Sequence, residues 1–256
     1  MKRWSVFTLG VGAYAIFLGT FLYALGFVGN FVVPKSLDSA REGSLATALA
    51  VNLGLLSLFA VQHSVMARRG FKERLTRWLP EPAERSTYVL ASSLALIVLF
   101  AFWRPLGGIV WEVTDPAGRA VLLGLFAFGW LLVLASTFLI NHFDLFGLRQ
   151  IWLYLQERPY TRLAFRTPGP YRLVRHPLYV GWLFAFWATP TMTVTHLFFA
   201  AVTTAYILVA IQLEERDLVN AFGAAYKSYR RRVPMLIPGF ASRSEVTIDA
   251  TMVDTR

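Results

Sequence analysis

The chain alternates between long apolar stretches and short polar segments. Five stretches contain no Asp, Glu, Lys or Arg, and they cover residues 5–34, 43–67, 86–103, 120–143 and 178–213. As an α-helix, each stretch is long enough to cross a membrane hydrocarbon core of about 30 Å. The pattern therefore predicts an all-α fold, a polytopic bundle of membrane helices.

The last apolar stretch, residues 178–213, is too long for one crossing and too short for two full ones. Pro190 lies near its middle with threonines beside it, and a proline inside a helix interrupts it. We therefore predict four crossings followed by a C-terminal helical hairpin, which makes five or six membrane segments. Both a full crossing and a re-entrant hairpin are compatible with the sequence.

Composition supports the membrane interpretation. Hydrophobic residues make up 56% of the chain and charged residues 16%, whereas about a quarter of the residues in soluble domains are charged. The absence of cysteine excludes disulfides, thiolate metal sites and a cysteine nucleophile. The four histidines are scattered along the chain, so we expect no metal centre.

The net charge of +10 lies in short loops rather than on one soluble face, which favours membrane orientation over nucleic-acid binding. Basic residues are concentrated at 68–77, 149–175 and 227–232, whereas the loops at 34–42 and 105–118 contain few of them. Under the positive-inside rule the basic loops face the cytoplasm. We expect an integral protein of the bacterial inner membrane, surrounded by lipids, with both termini cytoplasmic.

These patterns divide the chain into three parts. Residues 1–140 contain four transmembrane helices, residues 141–240 contain the polar segments that could carry chemistry, and residues 241–256 form a flexible tail. The N-terminal apolar run is much longer than the core of a signal peptide, so we interpret it as a retained first helix.

The first polar segment, NHFDLFGLRQ, directly follows the fourth helix. It places five polar side chains at the membrane boundary: Asn141, His142, Asp144, Arg149 and Gln150. Ionisable groups beside lipid are candidates for function. The alternative is an ordinary interfacial helix end, at which His142 and Arg149 complement the helix dipole.

The second polar segment, FRTPGPYRLVRHPLYVG, covers residues 165–181. Its prolines and glycine predict a turn, and Pro177 suits the first turn of a new helix. Arg175, His176 and backbone N–H groups then lie at a helix N-terminus, where a carboxylate or phosphate can bind. Arginines that contact lipid head groups are the alternative.

The third polar segment begins at Glu214 and Glu215, which directly continue an uncharged helix. Two acids at that depth need partners. They either pair with arginines of the second segment or accept hydrogen bonds from a ligand. Residues 221–232 follow as a predicted amphipathic interfacial helix.

The combination of RHPLYVG, EERDL and FGAAYKSYRRRVP resembles the isoprenylcysteine carboxyl methyltransferase-like superfamily of membrane methyltransferases. NHFDLFGLRQ, FRTPGPYRLVRHPLYVGW and FWATPTMTVTHLFFA look like its methanethiol S-methyltransferase branch. That resemblance implies an S-adenosylmethionine-dependent enzyme that converts methanethiol to dimethyl sulfide and leaves S-adenosylhomocysteine. Isoprenylcysteine or phospholipid methylation, an NADPH-dependent sterol-type reductase and a non-enzymatic membrane accessory protein are the alternatives.

The resemblance also implies cytoplasmic cofactor-binding loops, because the superfamily holds its cofactor with these segments. Carried over to this chain, the cofactor-binding residues are Leu163, Ala164, Phe165, Arg166, Tyr171, His176, Pro177, Tyr179 and Glu214. Arg175, at the predicted helix N-terminus, and Glu215, next to Glu214, complete the set that we expect to bind the cofactor. The isoprenylcysteine enzymes also have an arginine about one turn before the glutamates, where this chain has Ala210. That departure disfavours a carboxylate-bearing prenyl substrate.

Methyl transfer to a thiol needs the thiolate, and an alkyl thiol that titrates like free cysteine, at about 8.5, is mostly protonated at neutral pH. We therefore hypothesise that His142 is the base and Asp144 orients it. Asn141, Arg149 and Gln150 are then expected to shape the polar wall of the thiol pocket.

Overall fold

The computed structural model describes residues 2–40, 43–161 and 163–239. The predicted flexible tail at 241–256 lies outside the described residues. Five helices in the described part are long and apolar enough to cross a membrane. The prediction of a polytopic helical membrane protein is confirmed.

Nine α-helices and two short strands form the described chain. In order they are α1 (Arg3–Gly29), α2 (Leu45–Ala67), α3 (Arg69–Leu75), α4 (Glu84–Phe102), β1 (Ile109–Glu112), α5 (Pro116–Ile140), α6 (His142–Leu145), α7 (Leu148–Leu155), α8 (Pro177–Trp187), β2 (Thr191–Thr193) and α9 (Val194–Arg232). Short 3₁₀ turns at Glu81–Ala83 and Gly169–Arg172 precede α4 and α8.

The long helices are apolar on their outer surfaces as well as inside. Leu22 in α1, and Val121 and Leu131 in α5, are all exposed leucine or valine side chains. In water such a surface is unfavourable, but in a bilayer it contacts lipid tails while the helix satisfies its own backbone hydrogen bonds. These helices therefore suit a hydrocarbon solvent.

Polar side chains begin the helices where the sequence changes from loop to apolar stretch. Ser44 accepts a hydrogen bond from the backbone N–H of Thr47 at the start of α2. Asp115 does the same for Gly118 at the start of α5, where Pro116 occupies the first helical position. Such caps satisfy N–H groups that have no partner within the helix.

One end of the bundle is closed by contacts among its loops. Strand β1 pairs antiparallel with β2, joining the α4–α5 connection to the start of α9. The buried Trp103 donates from Nε1 to the carbonyl oxygen of Leu37 at 3.1 Å. Asp38 accepts hydrogen bonds from Thr193 and His196. The polar segments singled out by the sequence lie at the other end, which we call the basic end.

Helices α5 and α8 pack closely through two glycines. A Cβ atom at Gly129 would lie 2.7 Å from the carbonyl oxygen of Gly181, and one at Gly181 would lie 2.7 Å from that of Gly129. Close approach through small residues is a common way for membrane helices to associate. This packing fixes α8, which carries the RHPLYVG element.

The C-terminal hairpin has arms of very different length. Its first arm, α8, has 11 residues, which span about 16 Å as a helix and so about half of a hydrocarbon core. The turn falls at the predicted place, between Trp187 and Thr191. The second arm, α9, has 39 residues and is broken at Gly223, whose φ is 54°.

Candidate active site

Glu215 is the centre of a buried charged cluster at the basic end. Its Oε1 atom lies 2.6 Å from Nε of Arg175 and 3.1 Å from Nε2 of His176. Arg230 approaches its other oxygen at 3.6 Å. Glu215 is only 5% exposed. Because a buried charge is tolerated only with partners, this cluster fastens α8 to α9.

The chain after the Gly223 break folds back onto the start of α8. The backbone N–H of Arg175 donates to the carbonyl oxygen of Pro234 at 2.8 Å, and that of His176 to Met235 at 3.2 Å. The Arg175 guanidinium donates to the carbonyl oxygen of Val233 at 2.6 Å. The positive φ of Gly223 permits this reversal, since residues with a side chain rarely adopt it.

Glu214 has a different environment from its neighbour. Its side chain is 45% exposed, and its Oε2 atom lies 3.8 Å from Nδ1 of His176. The hydroxyl of Tyr179 lies beside this carboxylate. Burial and the charge of Glu214 raise the pKa of Tyr171, so that phenol stays protonated. Glu214, unlike Glu215, keeps acceptor positions free for a ligand.

Aromatic side chains surround Phe165 beside this carboxylate. Its ring centroid lies 5.2 Å from Phe222, 5.7 Å from Tyr226 and 5.4 Å from Tyr229. Tyr229 donates its hydroxyl to the carbonyl oxygen of Tyr171 at 2.6 Å. Leu163, Ala164 and Arg166 are exposed in the same extended loop, and Pro177 is buried at the first position of α8.

The hydroxyl of Tyr226 is a buried polar atom without a hydrogen-bond partner among the described residues. The residue is 1% exposed. A buried donor left unpaired costs about 1–3 kcal/mol, so it points to a ligand or water at this position. Aromatic rings and the partly exposed carboxylate of Glu214 lie in the same region of the basic end.

The predicted catalytic cluster is a closed network around α6 and α7. Arg149 pairs with Oδ1 of Asp144 at 2.8 Å. Gln150 donates to the carbonyl oxygen of Asp144 at 3.0 Å, and Asn141 accepts from its backbone N–H at 3.1 Å. Tyr160 donates to its second carboxylate oxygen at 3.3 Å. These contacts hold Asp144 away from His142.

His142 is bound by hydroxyls instead. Its Nε2 atom lies 2.8 Å from the hydroxyl of Tyr14, and its Nδ1 atom lies 2.8 Å from Oγ1 of Thr137. The prediction that Asp144 orients His142 is wrong, because both ring nitrogens already have other partners. The ring stacks on Phe138 at 4.2 Å and is 4% exposed. Burial lowers the pKa of His142.

A second histidine cluster was missed from the sequence. His63 in α2 lies between Tyr88 and Ser92 of α4, with its Nε2 atom 2.8 Å from the Tyr88 hydroxyl and its Nδ1 atom 3.1 Å from Oγ of Ser92. Gln62 donates to the same Ser92 oxygen at 3.3 Å. The available signal was the polar run Gln62–His63–Ser64 inside an uncharged stretch, which a search for charges alone passes over.

This second cluster lies within electrostatic range of Tyr179, the residue whose hydroxyl is beside Glu214. The hydroxyl of Tyr179 lies within electrostatic range of the hydroxyls of Tyr88 and Tyr206. Tyr206 in α9 also contacts Oγ of Ser64 at 3.2 Å. Polar groups of α2, α4, α8 and α9 therefore converge at one place. In the part of the chain that the structure describes, no group of three His, Cys, Asp or Glu could hold a metal ion.

Comparison with known proteins gives one family model and several relatives. The model described as phospholipid methyltransferase matches residues 119–225. The chain is 58% identical to the methanethiol S-methyltransferase of Crocosphaera subtropica, over 95% of this chain and 96% of that protein. It is 53% identical to the methanethiol S-methyltransferase of Mycobacterium tuberculosis, over 93% and 98% respectively.

A more distant relative is Nurim of Bos taurus, which is 32% identical over 71% of this chain and 72% of that protein. No solved structure matches the chain. The matched residues 119–225 contain α5 to α8 and much of α9. They therefore include Glu214, Glu215 and the RHPLYVG element, but not His63 or Tyr88.

Proposed function

Because this chain belongs to the methanethiol S-methyltransferase family and is therefore a methyltransferase, we propose that it methylates methanethiol with S-adenosylmethionine to form dimethyl sulfide. The observation that carries the proposal is Glu214, whose partly exposed carboxylate lies beside His176 and Tyr179 at the basic end. A carboxylate with free acceptor positions suits the hydroxyl or amino groups of a nucleoside cofactor.

The residues proposed to hold this cofactor lie near one another at the basic end, and we call them the cofactor surface. Glu214, Tyr171 and Tyr179 supply polar contacts, while Phe165 and Tyr226 provide an aromatic wall with one unpaired hydroxyl. Leu163, Ala164 and Arg166 border the surface from the extended loop. The surface is stabilised by the hydrogen bonds of Glu215 to Arg175 and His176, and by Pro177 at the start of α8. Bound there, S-adenosylmethionine supplies a methyl group on a sulfonium.

The protein's part in this reaction is alignment and exclusion of water. Methyl transfer requires the nucleophile, the methyl carbon and the leaving sulfur in line, and a fixed arrangement lowers the barrier by pre-organising them. His142, now without Asp144 as its partner, is one candidate for the base that removes the thiol proton, and the cluster around His63 is the other.

The two glutamates separate cofactor binding from folding. We expect Glu214→Gln to weaken S-adenosylhomocysteine binding by about 10-fold or more, because it removes a charged acceptor. Glu215→Gln is expected to lower the melting temperature instead, since it leaves Arg175 buried without its full partner. Calorimetry of the purified protein in detergent measures the affinity, and thermal unfolding measures the stability.

Glu112→Gln, at the opposite end of the bundle, is the matched control and should change neither quantity. Wild-type affinity in Glu214→Gln would contradict the cofactor assignment. The reaction is tested by detecting dimethyl sulfide above membranes supplied with methanethiol and S-adenosylmethionine. Binding of NADPH in place of S-adenosylhomocysteine would favour the reductase alternative.

We also propose that the basic end faces the cytoplasm of a bacterial cell and that both termini lie there. Arg68, Arg149 and Arg175 belong to segments of this end, and short basic loops are retained on the cytoplasmic side. A C-terminal alkaline phosphatase fusion should be inactive, while a green fluorescent protein fusion should fluoresce. The reverse pattern would overturn this orientation.

A further inference from the structure

We propose that Tyr88 is the catalytic residue that receives the thiol proton, and that His63 is the positioning residue that takes this proton onward. The inference rests on the proposed function, because it concerns the thiol side of the same reaction. It assigns a role to a cluster in α2 and α4 that lies outside the matched family segment 119–225.

The hydrogen bonds of the cluster permit such a transfer: the Tyr88 hydroxyl lies 2.8 Å from Nε2 of His63 and 3.1 Å from Nδ1, so the shorter contact is to Nε2. Ser92 Oγ lies 3.1 Å from Nδ1 of His63 and also accepts from Gln62. With Nδ1 protonated and donating to Ser92, the Nε2 atom is free to accept. The Tyr88 hydroxyl lies 2.8 Å from that atom and donates to it. The neutral imidazole is thereby ready to take a proton from Tyr88.

The position of Tyr88 distinguishes it from other buried tyrosines. Its hydroxyl lies within electrostatic range of Tyr179, whose own hydroxyl lies beside Glu214. Tyr206 approaches the same place from α9. The Tyr88 side chain as a whole is only partly buried. The side chains of Glu214, Tyr179 and Tyr88 therefore form a series that links the cofactor surface to the cluster.

An unsatisfied acceptor in the cluster also points to a ligand. The Oε1 atom of Gln62 is buried and has no hydrogen-bond partner among the described residues. Its amide nitrogen is used by Ser92 and by the sulfur of Met66. An acceptor left without a donor at this depth is unfavourable, because no bulk water is available to compensate. A water molecule beside the bound thiol would satisfy it.

The positive charge around the cluster favours a developing anion. Arg85 lies with its guanidinium carbon 5.8 Å from the centre of the Tyr88 ring. The charged and titratable groups that act on Tyr88 are Glu84 and Arg85 on its own helix, Arg68 after α2, Tyr179 on α8 and Tyr206 on α9. Two of the three charged groups in this set are cationic. A thiolate at this place is therefore attracted electrostatically.

The proton and electron pairs balance in this assignment. The thiol S–H proton passes to the Tyr88 oxygen as the Tyr88 proton passes to Nε2 of His63. The thiol sulfur uses the electron pair of its broken S–H bond to bond to the methyl carbon. The bond between that carbon and the sulfonium sulfur breaks, and its electron pair stays on that sulfur, which becomes the thioether sulfur of S-adenosylhomocysteine. The imidazolium of His63 then returns the proton to water before the next turnover.

The test compares Tyr88→Phe and His63→Gln with Tyr23→Phe in full-length purified protein. Tyr23 has a hydroxyl of the same kind, bonded to the carbonyl oxygen of Lys35 at the opposite end. We expect both cluster variants to lower turnover about 100-fold at neutral pH, in the range for loss of general base catalysis. Tyr23→Phe should keep wild-type turnover, and all three should keep wild-type S-adenosylhomocysteine affinity by calorimetry.

The pH profile separates chemistry from structure. With the relay removed, only thiol that is already ionised reacts, so the rate of the cluster variants should rise about tenfold per pH unit below the thiol pKa. The wild-type rate should rise less steeply. Wild-type turnover in Tyr88→Phe or His63→Gln, or a loss of turnover that does not change with pH, would overturn this inference and leave the proposed function standing. A wild-type protein that forms no dimethyl sulfide would overturn the proposed function with it.

Discussion

Two histidines in this protein have almost the same immediate partners and very different surroundings. His63 lies between the hydroxyls of Tyr88 and Ser92, and His142 between those of Tyr14 and Thr137. In both clusters the tyrosine lies 2.8 Å from Nε2. The local motif, an imidazole between a phenol and an aliphatic hydroxyl, therefore does not identify a catalytic group.

The difference lies in what surrounds each cluster. Phe138, Phe143 and Phe146 enclose His142, and among the described residues no charged group shifts its pKa. The ring of Tyr88, in contrast, lies 5.8 Å from the guanidinium carbon of Arg85. Its hydroxyl is within electrostatic range of Tyr179, which lies beside Glu214. The comparison teaches that a buried histidine becomes a candidate for proton transfer through its connection to charge and ligand, and otherwise packs as a polar core residue.

The largest expected effect is on turnover when each histidine is replaced in turn. His63→Gln should lose about 100-fold in kcat, whereas His142→Gln should stay within about threefold of wild type. The reason is that His63 hydrogen-bonds to Tyr88, which lies within electrostatic range of Tyr179, whereas His142 is enclosed by aromatic rings. Dimethyl sulfide release from purified protein measures both rates. If His142→Gln were the more damaged enzyme, the roles of the two clusters would be reversed.

A smaller effect is expected from removing one hydroxyl from each cluster. Ser92→Ala should lower kcat by about 10-fold, because Ser92 sets the tautomer of His63 through a hydrogen bond to Nδ1. Thr137→Val should instead lower the free energy of unfolding by about 1 kcal/mol with little change in kcat. Steady-state rates and thermal unfolding measured on both variants decide between the two roles. Equal losses of kcat in Ser92→Ala and Thr137→Val would contradict the assignment of different roles to the two histidine clusters.

The smallest effect concerns stability against pH at His142. Burial lowers the pKa of this imidazole below its unfolded value of about 6.5. The unfolded chain therefore binds the proton more readily, and the stability contributed by neutral His142 falls as pH decreases through about 6.5. The difference in melting temperature between wild type and His142→Gln should shrink from about pH 7.5 to about pH 5. A difference that stays constant would argue against a shifted pKa.

The membrane class and the segments with chemistry were predictable because hydropathy and charge are properties of local sequence. Apolar stretches predicted the long helices, and the turn near Pro190 was found between Trp187 and Thr191. The arm lengths were not predictable, since α8 ends after 11 residues where the chain joins β2. That strand exists only because β1, far away in the sequence, pairs with it.

The C-terminal helix shows the same limit at one residue. Residues 221–232 have the amphipathic pattern of an interfacial helix, and the structure has helix there on both sides of Gly223. Periodicity alone does not reveal that the backbone reverses at this glycine. The reversal is stabilised by hydrogen bonds from Arg175 and His176 to the chain around Pro234.

By itself, the sequence determined that this is a helical membrane protein with a methyltransferase-like polar region, because solvent preference and short motifs are encoded locally. Tertiary structure alone decided the different environments of Glu214 and Glu215, adjacent residues on α9: Glu215 is buried against Arg175, and Glu214 lies partly exposed beside His176. It also decided that Asp144 pairs with Arg149 and that His63 meets Tyr88. Such contacts depend on which helices pack together, and no local pattern specifies that packing.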